Sequence, residues 1–160
     1  MPETRIPGLM AKLERGQRKS SETFGRLSPS QWERAIYEDP APWTARNLIA
    51  HFLSSELELL RLCQDVAAGG QGAPEGYDYN GFNAEQQPLY ESVPPAQLLE
   101  QLDAARARTL EWLGTIDEMA LDRVGRHPAL GEVSLEIMIV AIYGHQLLHM
   151  RELQSKLGSA

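Results

Sequence analysis

Apolar positions recur at helical spacing in four long stretches of this chain, and the polar positions between them fall on the opposite faces. Over residues 6–27, Ile6, Met10, Leu13, Phe24 and Leu27 share one face, with Gln17 and Ser20 weakening its middle. Ser28-Pro29-Ser30-Gln31 then combines a cap, a proline at the first helical position and a glutamine at N3. A short helix from Pro29 to about Tyr37 is expected there, packing Trp32 and Ile36 on the bundle and stopped by Asp39-Pro40-Ala41-Pro42. The second long helix runs from Thr44 to about Ala68, with Thr44 as cap, Trp43 as a staple against Leu48, and Gly69-Gly70 as the stop. A third runs from Pro94-Pro95 to about Ile116, with Leu98, Leu102, Ala105, Thr109, Trp112 and Ile116 on one face. The fourth runs from Ser134 to Leu157.

Between the second and third helices lies a connection from Gly69 to Val93, unusually long for a compact domain. Tyr77, Tyr79, Phe82 and Tyr90 argue against disorder, because aromatic residues are scarce in solvated linkers. Traversing the bundle from end to end is the simplest task for such a segment, and it leaves the flanking helices parallel. No internal repeat and no stretch with strand periodicity stands out, in the 117–133 connection or elsewhere. The expected fold is all-α: residues 1–160 as a single four-helix bundle with a long crossover between helices 2 and 3, plus one short extra helix.

Composition adds limits. At 160 residues with 42% hydrophobic and 23% charged positions, the chain can bury a sizeable core. Its net charge of −7 repels phosphate backbones, so no nucleic-acid partner is expected. The apolar run 137–143 is too short to span a bilayer, and no apolar stretch follows Met1-Pro2-Glu3-Thr4-Arg5, so neither a membrane partner nor a secretory leader is expected. The single cysteine, Cys63, precludes an internal disulfide and suits a reducing cytoplasm, where it reads as a small core residue.

Candidate chemistry concentrates in the histidines. On the fourth helix, Met138, Ile142, His145, His149 and Glu152 fall in one narrow stripe. Side chains four apart lie about 5–6 Å apart at Cβ, near enough for two rings to share an ion at about 2.0–2.1 Å. A third imidazole, His51, lies on the stripe of the second helix with Leu48, Ser55 and Leu62. Three of the four histidines thus fall on presumed inner faces, the ligand count of a catalytic metal site with an open position. Two familiar alternatives fail. The zinc-peptidase pattern needs a glutamate where Gln146 stands. A di-iron carboxylate site needs glutamates three residues before histidines, where this chain has Leu48, Ile142 and Gln146.

Trp43-Thr44-Ala45-Arg46-Asn47-Leu48-Ile49-Ala50-His51-Phe52-Leu53-Ser54-Ser55-Glu56, then Phe82-Asn83-Ala84, then His145-x-x-x-His149, resembles the DinB-like (YfiT-like) metalloenzyme superfamily. The resemblance covers nearly the whole chain, from the segment 27–32 to the last helix. It implies a four-helix bundle with a long crossover between the second and third helices and a divalent metal, commonly nickel, zinc or iron, on His51, His145 and His149. It also implies a small-molecule substrate, and characterised relatives include S-transferases that use bacillithiol or mycothiol as a low-molecular-weight thiol co-substrate. A homodimer is the assembly it suggests. Leu148 stands where mycothiol-dependent relatives often carry glutamate, and Glu152 where relatives often carry glutamine, which leaves the particular thiol and substrate open.

Two function classes follow. One is a metal-dependent thiol S-transferase-like enzyme or hydrolase. The other is a non-catalytic stress-response or ligand-binding module whose histidines are structural. Asn83, at a recurrent family position, and Glu152, beyond the last histidine, are the expected substrate-pocket residues, with a solvated Glu152 paired to Lys156 as the plainer reading. Tyr143 is expected in the core, His127 in a surface or structural role, and Trp112 in the core.

Overall fold

The computed structural model of the protein describes residues 4–38 and 42–158. Its elements are α1 (Arg5–Gly25), α2 (Pro29–Glu33), β1 (Ala35–Tyr37), β2 (Trp43–Thr44), α3 (Ala45–Ala67), α4 (Tyr79–Gln86), α5 (Pro95–Leu113), β3 (Val124–His127), β4 (Gly131–Ser134) and α6 (Leu135–Leu157), with 3-10 turns at Gln87–Tyr90 and Glu118–Asp122. The four long helices form the expected bundle. α3 and α1 each pack against both α5 and α6. No helix among the described residues is long and apolar enough to cross a membrane.

Two apolar clusters fix the helix directions. One gathers Leu9 and Leu13 of α1, Leu62, Cys63 and Val66 of α3, Leu113 of α5, and Leu135, Met138, Ile139 and Ile142 of α6. The other gathers Phe24 of α1, Leu48, Ile49 and Phe52 of α3, Leu98 and Leu102 of α5, and Met150, Leu153 and Leu157 of α6. The late half of α3 thus meets the late half of α5 but the early half of α6. α3 and α5 run parallel, and both oppose α1 and α6, as the long connection predicts. Each fully buried leucine here contributes about 1.5–3 kcal/mol, so the two clusters account for much of the fold's stability.

The crossover is moored at both ends. Near its start, the Ala73 amide donates to Arg126 C=O at 2.8 Å and the Arg126 amide to Gln71 C=O at 2.7 Å. Between them Gly72 has φ +81°, and a side chain there would meet the Arg126 carbonyl at 2.6 Å, so the approach requires glycine. Near its end, Arg46 in the first turn of α3 donates to the carbonyls of Tyr90, Glu91 and Val93 at 2.5–2.6 Å. Asn47 and Gln87 exchange hydrogen bonds at 2.9 and 3.0 Å. The segment therefore travels the length of α3. It is not wholly irregular: Asp78 accepts from the Gly81 amide and caps α4.

Several expectations are corrected. The short helix ends at Glu33, not Tyr37, and residues 35–37 form a strand. Its capping box is as read, with Ser28 and Gln31 bonded reciprocally. β1 pairs antiparallel with β2, which buries Ile36 and turns the chain back into α3. The stop expected at 39–41 lies outside the described residues. The 117–133 connection holds a second ribbon, β3 with β4, in a register from Val124↔Ser134 to His127↔Gly131. The third helix ends at Leu113, three residues early, just before Gly114. Both ribbons are too short for a period-2 pattern to emerge, and their pairing is set by tertiary contact.

Candidate metal centre

α3 opens on Thr44, whose amide donates to Asn47 Oδ1 at 2.8 Å. That start sets the phase of the helix and places His51 on its inner face, 5% exposed, two turns in. α6 begins at Ser134, whose hydroxyl accepts from the Ile137 amide. Its inner face carries Met138, Ile142 and Met150, with His145 and His149 half-buried along one edge. Because α3 and α6 run antiparallel, the early part of one meets the later part of the other, and the three rings converge.

The convergence is through one nitrogen of each. His145 Nε2 lies 3.0 Å from His51 Nε2 and 3.0 Å from His149 Nε2. One ligand atom from each ring can be chosen so that all three lie within 4.8 Å of one another. Nitrogens sharing one ion at about 2.0–2.1 Å stand about 2.9–3.4 Å apart at octahedral or tetrahedral angles, so the spacing of His145 to its two neighbours fits a bound ion. The outer nitrogens face other partners. His149 Nδ1 is 2.7 Å from the Tyr37 hydroxyl and 3.9 Å from Glu152 Oε1, and His51 Nδ1 is 3.4 Å from Ser55 Oγ. Aromatic walls surround the rings: Trp43 at 5.3 Å from His51, and Phe52 at 6.3 and 6.0 Å from His145 and His149, centroid to centroid. Trp43 thus lies in β2 over His51, a place that a staple on Leu48 did not anticipate.

Electrostatics keep the rings neutral. Burial, then the charges of His145 and His149, pushes His51 down to about 3. Burial, then His149 and His127, pushes His145 down to about 4. His149 is also lowered by burial, against the opposing charge of Glu152. Neutral imidazoles retain a lone pair for a cation, and they also suit zinc, nickel and iron alike. Tyr37 is raised by burial and by Glu152, acting as acceptor and as charge, so its hydroxyl keeps its proton.

A second polar cluster lies one turn further along α3. Arg106 donates to both oxygens of Glu56, at 2.7 and 2.9 Å, to Leu13 C=O at 2.7 Å and to Gln146 Oε1 at 3.1 Å. Thr109 Oγ1 and Gln146 Nε2 donate to Glu56 at 2.9 and 3.1 Å. Glu56 is 0% and Arg106 1% exposed, yet the network ties all four long helices and gives the charges partners. Spacing gives a signal for both residues: Arg106 follows Leu102 by four and Glu56 follows Phe52 by four, on core-facing stripes. Tyr37 was missed because it was placed on a helix.

Of the expected site residues, His51, His145 and His149 come together, and Glu152 stands beside His149. It forms no ion pair with Lys156 among the described residues. Asn83 is half-buried in α4, and no hydrogen bond or ring contact among the described residues joins it to the imidazoles. Tyr143 packs at the edge of the first apolar cluster, as does Trp112. His127 is buried, and its Nδ1 accepts from the Ala129 and Leu130 amides, holding the β3–β4 turn. Cys63 is fully buried, its thiol pushed up to about 12 by burial and then by Glu56, as suits a core residue.

The fold recurs in solved structures of low identity. YfiT from Bacillus subtilis, described as "a probable metal-dependent hydrolase with an unusual four-helix bundle topology", superposes with TM-score 0.72 at 18% identity, covering 100% of this chain and 91% of that one. A mycothiol-dependent maleylpyruvate isomerase gives 0.73 at 17%, covering 92% of this chain, which spans only 60% of the isomerase. The colibactin self-resistance protein ClbS, in complex with a dsDNA, gives 0.70 at 14%, covering 97% of this chain and 98% of that one. This last structure corrects an expectation. A chain of the same fold is bound to DNA, so net charge alone is no ground for excluding nucleic acid here. No curated protein matches the sequence. A family model matches residues 12–153, nearly the whole chain, and the protein belongs to the DinB superfamily.

Proposed function

We propose that the protein is a divalent-metal-dependent enzyme, a hydrolase or a thiol S-transferase, with His51, His145 and His149 as the metal ligands. The observation that carries this reading is the meeting of three Nε2 atoms that have no other partner among the described residues, His145 lying 3.0 Å from each of the others. A divalent ion held there would lower the pKa of a bound water or thiol and polarise a substrate oxygen. The chain's own residues prepare the place. Burial keeps His51 and His145 unprotonated at neutral pH, and Phe52 and Trp43 keep water from their inner sides. His145 and His149 remain partly exposed, so a small substrate reaches the cluster from the α6 side. Gln146 cannot act as the base, and its amide is occupied by Glu56 and Arg106.

One observation favours a second reading, in which the ion is held without catalysis. His51 is only 5% exposed, and Trp43 and Phe52 pack against the rings. Chelator-stripped and zinc- or nickel-reconstituted protein, assayed against activated esters and against a thiol with an electrophilic acceptor, separates the two. The enzyme reading expects turnover that requires metal and is lost in His145→Ala. Stoichiometric metal with no turnover in either assay selects the inert reading.

A further inference from the structure

The β1–β2 ribbon touches two of the three imidazoles. Its register sets Tyr37 opposite Trp43, and the two side chains reach His149 and His51 respectively, with ring centroids at 5.8 and 5.3 Å. The Tyr37 hydroxyl is 2.7 Å from His149 Nδ1. We infer that this ribbon is the outer support of the histidine cluster, and that Tyr37, backed by Glu152, is a positioning residue that decides which nitrogen of His149 carries hydrogen. The inference rests on the metal-site reading above.

A neutral imidazole has one N–H and one lone pair. If Tyr37 donates to Nδ1, the hydrogen is on Nε2 and His149 cannot ligate. If Nδ1–H donates to Tyr37, Nε2 presents its lone pair to the other two rings. A phenol both donates and accepts, so Tyr37 alone leaves the choice open. Glu152 removes the ambiguity. Its carboxylate only accepts, and from 3.9 Å its negative charge favours hydrogen on His149 Nδ1. With hydrogen on Nδ1, the phenol oxygen 2.7 Å away accepts it, and Nε2 is left free. Partners that orient a ligand histidine in this way typically account for 10–100-fold in metal affinity.

Zinc affinity, measured by competition with a chromophoric chelator, tests this in the full chain. Tyr37→Phe is expected to weaken zinc about 10–100-fold. It should also lower the melting midpoint of zinc-loaded protein more than that of chelator-treated protein, a difference that a packing role would not produce. Glu152→Gln, at a partly exposed position, should weaken zinc less, because an amide oxygen still accepts. The double variant should be no weaker than Tyr37→Phe, since both act on the same nitrogen, His149 Nδ1. In zinc-loaded protein labelled with ¹⁵N, His149 should show hydrogen on Nδ1. Wild-type affinity in Tyr37→Phe, additive losses in the double variant, or hydrogen on Nε2 would overturn the inference while leaving the metal site standing. Failure of the wild type to take up zinc would overturn both.

Discussion

Two polar clusters lie side by side in this bundle, on neighbouring stretches of the same helices, and they differ in how their valences are filled. Around Glu56 and Arg106, both carboxylate oxygens have donors, and each guanidinium nitrogen has an acceptor on another helix. Around His51, His145 and His149, the inner nitrogens face only one another among the described residues. α3 supplies His51 to one and Glu56 to the other, and α6 supplies His145 and Gln146. The contrast separates structure from site: a cluster closed on itself holds helices together, whereas one whose lone pairs converge invites an ion.

The comparison breaks most visibly at Arg106. Arg106→Ala leaves the Glu56 carboxylate buried without its counter-charge and should cost about 3–5 kcal/mol in denaturant unfolding, equally with and without zinc. A loss that appears only with metal would erase the distinction between the clusters. His149→Ala makes the opposite case. With zinc at a hundred times its dissociation constant, wild-type protein should gain about 2.7 kcal/mol over the chelator-treated form, and the variant should gain almost nothing. Equal losses in both forms would make the imidazole a packing element.

The third expectation is a pH dependence of the metal-free protein. His51 titrates at about 3 when folded and near the ordinary histidine value of about 6.5 when unfolded. Between those values the unfolded chain binds the extra proton, so stability present above pH 6.5 is lost as pH falls. The loss from this residue between pH 7 and 5 is on the order of 2 kcal/mol. His51→Gln should flatten that part of the pH–stability curve, and an unchanged slope would contradict the burial-driven shift. Smallest is Thr109→Val, which removes one donor from a Glu56 that keeps its Arg106 and Gln146 partners. It should cost about 1 kcal/mol and leave zinc affinity unchanged.

The long helices, the parallel crossover and the histidine set were legible because each rests on local spacing. Leu48, Ile49, Phe52 and Leu62 mark the buried side of α3 by themselves, and His145 and His149 need only a helix to share a face. Ser28 and Gln31 announced their cap in four residues. Tyr37 and Trp43 were not legible in the same way. β1 and β2 hold three and two residues, and what makes them strands is pairing with each other and contact with the histidines, which no local pattern records. The Glu56–Arg106 pair was obscured for another reason. Each residue occupies a core position, but a lone charge on an apolar stripe acquires meaning only once its partner on another helix is known. Glu152 shows the same dependence: its sequence neighbour Lys156 suggested a surface pair, while Tyr37, 115 positions away in the chain, gives it a role beside His149.

The central claim is that three imidazoles from α3 and α6 form one metal site. Equilibrium titration of chelator-treated, untagged protein with zinc or nickel, with the metal per chain counted by elemental analysis, addresses it most directly. The account predicts one ion per chain in the wild type, and loss of that ion in each of His51→Ala, His145→Ala and His149→Ala. Less than about 0.1 ion per chain in the wild type, or undiminished uptake after all three replacements, would contradict it.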